Sequence, residues 1–258
     1  MGNVHLVIPD IHAHYKQDNS RADLIGRLIV DLRPDVVVNM GDMFDMPSLS
    51  SYDRGKKGFQ GRTYRADVDA GLEFDERLWA PIKKAKKRRP HSVYLIGNHD
   101  ERIARAIEYQ PELEGMISYK DLELSKNYDV VVDYEGRTPG SIEIDGIQYG
   151  HYFPSGIMGR PISGDVRPAH SLLLKRHVST TQAHTHTLDW ATQTKGDGTK
   201  IMGLFAGCFL DYEPDYAGST SDMWWRGVVI KHEVENGVYD PEFISLERLK
   251  KLYDTGND

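Results

Sequence analysis

Cysteine is nearly absent. Cys208 is the single one in 258 residues, which excludes an intramolecular disulfide framework and any zinc site built from several thiolates. Long apolar runs are missing too. The stretch 4–8 is far too short for a signal peptide or a membrane span, and nothing else approaches the ~18 consecutive apolar residues that a span needs. Positive charge is in deficit: the formal net charge of −7 argues against a broad basic surface that coats duplex nucleic acid, although nucleic acid held in a cleft beside metal ions stays open. Internal repeats and low-complexity segments are also lacking. What remains is 39% hydrophobic and 28% charged residues, an ordinary globular composition with enough length to bury a substantial core. A cytoplasmic protein with no membrane partner is expected, as one domain over residues 1–250 and a C-terminal tail over 251–258.

The residues that are present fall into an ordered pattern. Residues 5–8 read as a buried strand that delivers Asp10 and His12 into a loop. Leu24, Ile25, Leu28, Ile29 and Leu32 give residues 19–32 a helical spacing that Pro34-Asp35 ends. Val36-Val37-Val38 follows as a second strand, ending at Gly41-Asp42. This is a βαβ unit, so the strands should be parallel with a right-handed crossover. Residues 46–66 break the pattern. Gly55, Gly58 and Gly61 sit among Lys56, Lys57, Arg62 and Arg65, with Tyr52, Phe59 and Tyr64 interleaved. A loop of this length is an insertion that serves either as a substrate lid or as a disordered linker.

A helix is expected over 67–89. It ends in a basic run that reads as a solvated C-terminus complementing the macrodipole, or as a patch facing nucleic acid. Residues 92–96 form a third strand, which runs into Gly97-Asn98-His99-Asp100 and a helix over 101–109 bearing Arg102 and Arg105. From residue 130 the texture is β: 130–132, 141–144, 147–149, 179–182, 200–205 and 225–232, with hairpin signals at Asp145-Gly146 and Asn236-Gly237. An α/β half followed by a β-rich half predicts a single-domain αββα sandwich, two mixed sheets flanked by helices. The site should lie at the strand ends.

Four strings end these strands: Pro9-Asp10-Ile11-His12, Gly41-Asp42, Gly97-Asn98-His99-Asp100 and Ala183-His184-Thr185-His186, with Gly150-His151 before the last. They supply carboxylate, amide and imidazole groups, the ligands that hard and borderline divalent metals take. Two metals ~3.5–4 Å apart activate a bridging water and clamp phosphate oxygens. The leaving alkoxide needs a proton, and a histidine held as imidazolium by a carboxylate can give one.

The series Asp10-x-His12, Gly41-Asp42-x-x-Asp45, Gly97-Asn98-His99-Asp100, His151 and His184-x-His186 resembles the calcineurin-like metallophosphoesterases, from residue 5 to about residue 190. The resemblance implies that Asp10, His12 and His186 hold one metal, that Asn98, His151 and His184 hold the second, and that Asp42 bridges both. It implies attack by a metal-bridging hydroxide, with His99 as the general acid and Asp45 orienting it. Two divalent ions are implied, manganese first and iron, zinc or nickel as further choices. The chain departs from the family at Ala183, where glycine is usual. It also lacks the Asp-Arg-Gly ending of the Ser/Thr protein phosphatases after Asp45, and has Asp100 where they have glutamate. The Gly-Asp-Met-Phe-Asp run is similar to the exonuclease-like branch.

A phosphodiester substrate, nucleic acid or cyclic nucleotide, is therefore favoured. A phosphomonoesterase acting on nucleotides or phosphoprotein is the alternative, and a catalytically inactive metal-binding scaffold is an alternative of another class. Arg102 suits a bidentate phosphate contact and His14 suits the pocket rim, so both are candidate substrate contacts. His170 reads as a surface histidine, and Trp224-Trp225 as packing rather than a base platform.

Overall fold

β-branched runs and helical stripes alternate through the first half of the chain, and the observed elements follow that alternation. The computed structural model describes residues 2–163, 166–214 and 217–253. The chain runs β1 (Asn3–Ile8), α1 (Arg21–Leu32), β2 (Val36–Asn39), α2 (Tyr64–Ala85), β3 (His91–Leu95), α3 (Arg102–Tyr109) and β4 (Val130–Val132). A short pair, β5 (Tyr134–Glu135) and β6 (Thr138–Pro139), leads into β7 (Ser141–Ile144) and β8 (Ile147–Gly150). Another short pair, β9 (Pro154–Ser155) and β10 (Arg160–Pro161), precedes α4 (Pro168–Arg176). The remainder is β11 (Thr180–Gln182), β12 (Leu188–Thr194), β13 (Lys200–Ala206), β14 (Gly227–Glu235), β15 (Val238–Ser245) and α5 (Leu246–Tyr253).

Two mixed sheets result. One has the order β15-β14-β1-β2-β3-β4, in which β1 to β4 are parallel and β14 and β15 antiparallel. The other has the order β12-β13-β11-β8-β7, with a parallel centre and antiparallel edges. Because side chains alternate along a strand, β1 serves two cores. Leu6 and Ile8 pack with α1 and α2 residues such as Ile25 and Phe74, whereas Val7 packs between the sheets with Tyr149 and Leu204. On the far face of the second sheet, Ala169 and Leu172 of α4 pack with Phe205 and Phe153. The layers are helix, sheet, sheet, helix, as expected. Among the described residues no helix is long and apolar enough to cross a membrane.

Three expectations need correction. Helix α2 starts at Tyr64 rather than 67, because the Thr63 side chain accepts a hydrogen bond from the Ala66 N–H and caps it. It ends at Ala85, where Lys86 turns left-handed (φ 49°), so the rest of the basic run lies beyond the helix. The C-terminal tail does not begin at 251: α5 continues to Tyr253, with Leu246 and Leu249 buried and Arg27 donating to the Tyr253 carbonyl. Residues 254–258 of that tail lie outside the described residues. Strand β12, an edge strand whose alternate residues are exposed, gives no buried apolar run and was not expected.

A polar cluster ties the sheets together. His5 of β1 lies 2.8 Å from the Tyr149 hydroxyl of β8 and 2.8 Å from the Asp145 carboxylate. Lys231 of β14 donates to Tyr149 (3.2 Å) and to Thr181, and its Nζ sits 4.4 and 4.5 Å from the Tyr149 and Tyr239 ring centroids. Burial lowers the Lys231 amine, and burial, against the pull of Asp145, lowers the His5 imidazole to about 4. The unfolded chain therefore takes up a proton at His5 near the ordinary 6.5 that the folded chain refuses until about 4. The His5 contribution should be present above pH 6.5 and lost as pH falls toward 4. In urea unfolding with chelator present, His5→Gln should flatten the acid loss of stability in that window by up to about 1.4 kcal/mol per pH unit.

Candidate metal centre

Asp10, Asp42 and Asn98 follow the parallel neighbours β1, β2 and β3, so sheet register alone brings their loops to one edge. His151 follows β8, and His184 and His186 follow β11, from the facing sheet. Backbone bonds join the loops: His12 N–H donates to the Asp42 carbonyl and Ala13 N–H to the Met43 carbonyl, both at 2.8 Å. His12, Asp42, His184 and His186 have φ of 47, 52, 67 and 61°. A non-glycine residue in that left-handed region costs ~1–3 kcal/mol and persists only where its surroundings fix it.

Three clusters have ligand atoms all within 4.8 Å of one another: Asp10 with His12 and His186, His12 with Asp42 and His99, and Asp42 with His151 and His184. His186 Nε2 lies 3.0 Å from Asp10 Oδ2, and His151 Nε2 lies 3.3 Å from Asp42 Oδ2 and 2.9 Å from Asn98 Oδ1. His12 Nε2 is buried with no hydrogen-bond partner among the described residues, 3.8 Å from Asp42 and 4.0 Å from Asp10. An unpartnered imidazole nitrogen between two buried carboxylates fits a divalent cation, and so does the oxygen and imidazole donor set as a whole.

Outer contacts fix which nitrogen faces inward. His151 Nδ1–H donates to the Met40 carbonyl at 2.8 Å, which leaves Nε2 for the cluster. Asp45 does more than orient one histidine: its Oδ1 accepts from His12 Nδ1 (3.0 Å) and from His99 Nδ1 (2.9 Å). His99 Nε2 accepts from Arg102 Nη2 at 3.1 Å, while Arg102 Nη1 donates to the Asp45 and Met46 carbonyls. Asp100 is wholly buried and accepts from four donors: the N–H groups of Asp42 (3.0 Å), Phe44 (3.2 Å) and Gly97 (2.9 Å), and the Tyr94 hydroxyl (2.9 Å). Gly97 is required by proximity, since a Cβ there would stand 2.1 Å from Asp42 Oδ1. Gly71 of α2 plays the same part behind the site, where a Cβ would fall 2.0 Å from the Phe44 ring.

Burial opposes charge throughout; surrounding charges override it at Asp42, Asp45 and His151, whereas burial prevails at His99, His184 and Asp100. Burial works against the Asp42 carboxylate, but His151 and His99 hold it well below the usual range; His12 and His99 do the same for Asp45. Burial likewise opposes a charge on His151, yet Asp42 and Asp10 push it up to about 10. His184 is held down to about 4, by burial and then by His151. Burial, then Asp42, raises the Asp100 carboxyl to about 7.

A cleft of about 780 Å³ opens over His99, walled by Tyr15, Tyr52, Lys56, Arg62 and Arg102. Residues 46–66 therefore form one wall of it, with Arg62 bonded to Asp53 and the Pro47 carbonyl. His14 is at the rim, stacked on Tyr15 at 4.6 Å and outside the clusters. His170 is exposed on α4. Three features had no sequence signal beyond residue type: the double role of Asp45, the Asp100 clamp, and Trp224, whose ring meets His186 edge-on at 4.3 Å.

Residues 5–234 match the family Metallophos, calcineurin-like phosphoesterase. No curated protein matches the chain in sequence. Among solved structures it is similar to a novel archaeal phosphodiesterase at 14% identity, covering 93% of this chain and 99% of that one, with a TM-score of 0.42. Yfce, a phosphoesterase from E. coli, gives 12% identity, coverage of 94% and 99%, and a TM-score of 0.41. A metallophosphoesterase from Sphaerobacter thermophilus gives 12%, coverage of 100% and 96%, and 0.43. Likenesses this loose do not carry a substrate from one protein to another.

Every partner of Asp100 is a donor, so an amide in its place would set an NH₂ group against N–H groups. Asp100→Asn should lower stability by about 2 kcal/mol in denaturant unfolding. Calorimetric titration should also find weaker manganese binding, because the Asp42 turn loses its clamp. Unchanged values for both would show that the clamp is idle.

Proposed function

Because the chain belongs to the calcineurin-like phosphoesterases, we propose that it hydrolyses phosphodiesters with two divalent metal ions. The observation that carries this reading is a run of three clusters joined through buried His12 and Asp42, with the Asp45 carboxylate on His99. In this reading Asp10, His12 and His186 would hold one ion, Asn98, His151 and His184 would hold the other, and Asp42 would serve both sets. Manganese is the first choice, since oxygen and imidazole ligands suit it, with iron, zinc or nickel as alternatives. When bound, the pair supplies Lewis acidity for activating water and neutralising phosphate oxygens.

The chain's own residues then divide the work. Asp45 accepts the His99 Nδ1 proton, so Nε2 is the atom that carries a proton to the leaving oxygen. Arg102 occupies that nitrogen at rest through Nη2 while Nη1 stays anchored on two carbonyls. A phosphate oxygen gives Nη2 a charged acceptor in place of the imidazole, and the freed Nε2 takes up a proton from solvent, which it then passes to the leaving oxygen. The guanidinium thus changes hands without leaving its anchors. His14, at the rim, meets only the outer part of an ester.

The diester preference draws on the Gly-Asp-Met-Phe-Asp run and on a cleft far larger than one phosphate requires. With manganese added, bis-p-nitrophenyl phosphate and a nucleic-acid or cyclic-nucleotide diester should be cleaved better than p-nitrophenyl phosphate. Efficient monoester cleavage alone would replace the diester reading by a phosphomonoesterase. His99→Ala should retain metal and lose about 10²–10⁴-fold in turnover of an alkyl ester. It should lose much less with p-nitrophenyl esters, whose leaving group needs no proton. Equal losses on both would remove His99 as the acid, and no loss on either would favour an inactive scaffold.

A further inference from the structure

A second cavity, of about 320 Å³, lies outside the cleft over His99. Trp224, Trp225, Arg226, Leu246 and Lys250 line it, with Asp211 at its edge. Trp224 is a shared wall, since the same residue meets the His186 ring at 4.3 Å. The segment from Asp211 to Pro214 divides the two openings: Asp211 faces this cavity, and Tyr212 and Glu213 face the cleft over His99. His186 of the cluster thus adjoins this cavity through Trp224, and His99 lines the cleft.

Arg226 carries the chemistry. Its Nε and Nη2 are buried and have no hydrogen-bond partner among the described residues, and Glu213 approaches Nη2 only to 3.9 Å. The acids nearby are committed elsewhere: Asp211 to Arg21 at 3.2 Å, and Glu247 to Lys250 at 3.3 Å. Leaving charged donors buried and unpaired is costly. Nε–H and Nη2–H together form the fork that takes two oxygens of one phosphate. Indole rings beside that fork suit the flat face of a base, and such stacking is tolerant of sequence.

We propose that Arg226, Lys250 and Trp224 bind a neighbouring nucleotide of a single-stranded nucleic acid, whose scissile phosphate lies at the Asp42 cluster. The strand then runs from the cleft on the His99 side to the cavity on the His186 side. This rests on the phosphodiesterase reading and narrows its substrate to a polymer. The net charge of −7 fits a strand gripped by a few cations rather than a duplex laid on a basic face.

The test is fluorescence anisotropy of a labelled oligothymidylate of about eight nucleotides, within the span that single-strand sites cover. His99→Ala protein would be used, so that binding is read without turnover. Adding Arg226→Gln should weaken binding about tenfold and reduce the slope of log K against log salt by about 0.7. Lys250→Gln, at a half-exposed side chain, should act in the same direction without threatening the fold. Lys200→Gln, an exposed charge at the start of β13, should leave affinity unchanged. Arg226→Lys should restore the salt slope but not the affinity, because it keeps the charge and loses the fork. Affinity within twofold of the parent in Arg226→Gln, or tighter binding of a duplex than of the strand, overturns the proposal. Hydrolysis of bis-p-nitrophenyl phosphate by the unsubstituted protein judges the phosphodiesterase reading separately. If that ester is cleaved and the strand is not bound, the polymer falls and the diesterase stands.

Discussion

Two carboxylates, Asp10 and Asp42, are buried at neighbouring strand ends, and the rest of the site depends on making that tolerable. Like charges in a low-dielectric interior are costly unless matched by cations or donors. The chain answers with imidazoles and backbone N–H groups. His99 N–H reaches Asp42 Oδ1 at 2.7 Å, and His184 N–H reaches Asp10 Oδ1 at 3.2 Å. His151 takes up charge most readily because it faces both carboxylates. A set that seeks positive charge so strongly is one in which divalent ions are at home.

Backbone geometry follows from the same constraint. Asp10 and His12 are two residues apart and would share one face of an extended strand, so what closes the clusters is the arrival of Asp42 and His186 from other strand ends. The left-handed turns at His12, Asp42, His184 and His186 redirect those side chains, and their strain needs support from outside the turns. Asp100 gives it by gathering the 42–44 turn onto the 97–100 turn, and Tyr94 joins them through its hydroxyl. Asp45 gives it by holding two imidazoles on one oxygen. Neither residue belongs to the clusters that meet within 4.8 Å, yet both determine how those clusters are presented.

The sheets and the liganding strings were legible because both are local. Val36-Val37-Val38 is a buried strand from any reading, and an Asp or His after a strand can only emerge at its end. Legibility stopped where partners lie far apart in sequence. Nothing in the string around Asp45 tells that its oxygen serves His12 and His99 together, and nothing around Asp100 tells that its four donors come from three segments. Strand β12 hid because an edge strand needs no buried run. The start of α2 hid because one hydroxyl, on Thr63, moved it three residues into the expected loop.

The same division separates chemistry from recognition. Residues that gather around Asp42 come from strand ends, whose positions the sheet register fixes. The walls of the cleft and of the second cavity come from elsewhere: residues 46–66, the segment from Asp211 to Pro214, and the approach to β14 and α5. Such segments can change without disturbing the sheets. A chain can therefore keep Asp42 and its imidazoles while its partners vary through residues such as Tyr52, Arg62 and Arg226. Two arginines mark the difference. Arg102 is satisfied at rest by two carbonyls and His99, so it must trade an existing bond to meet a phosphate. Arg226 has two N–H groups without a partner among the described residues, which is why it points to a ligand held for recognition rather than for reaction.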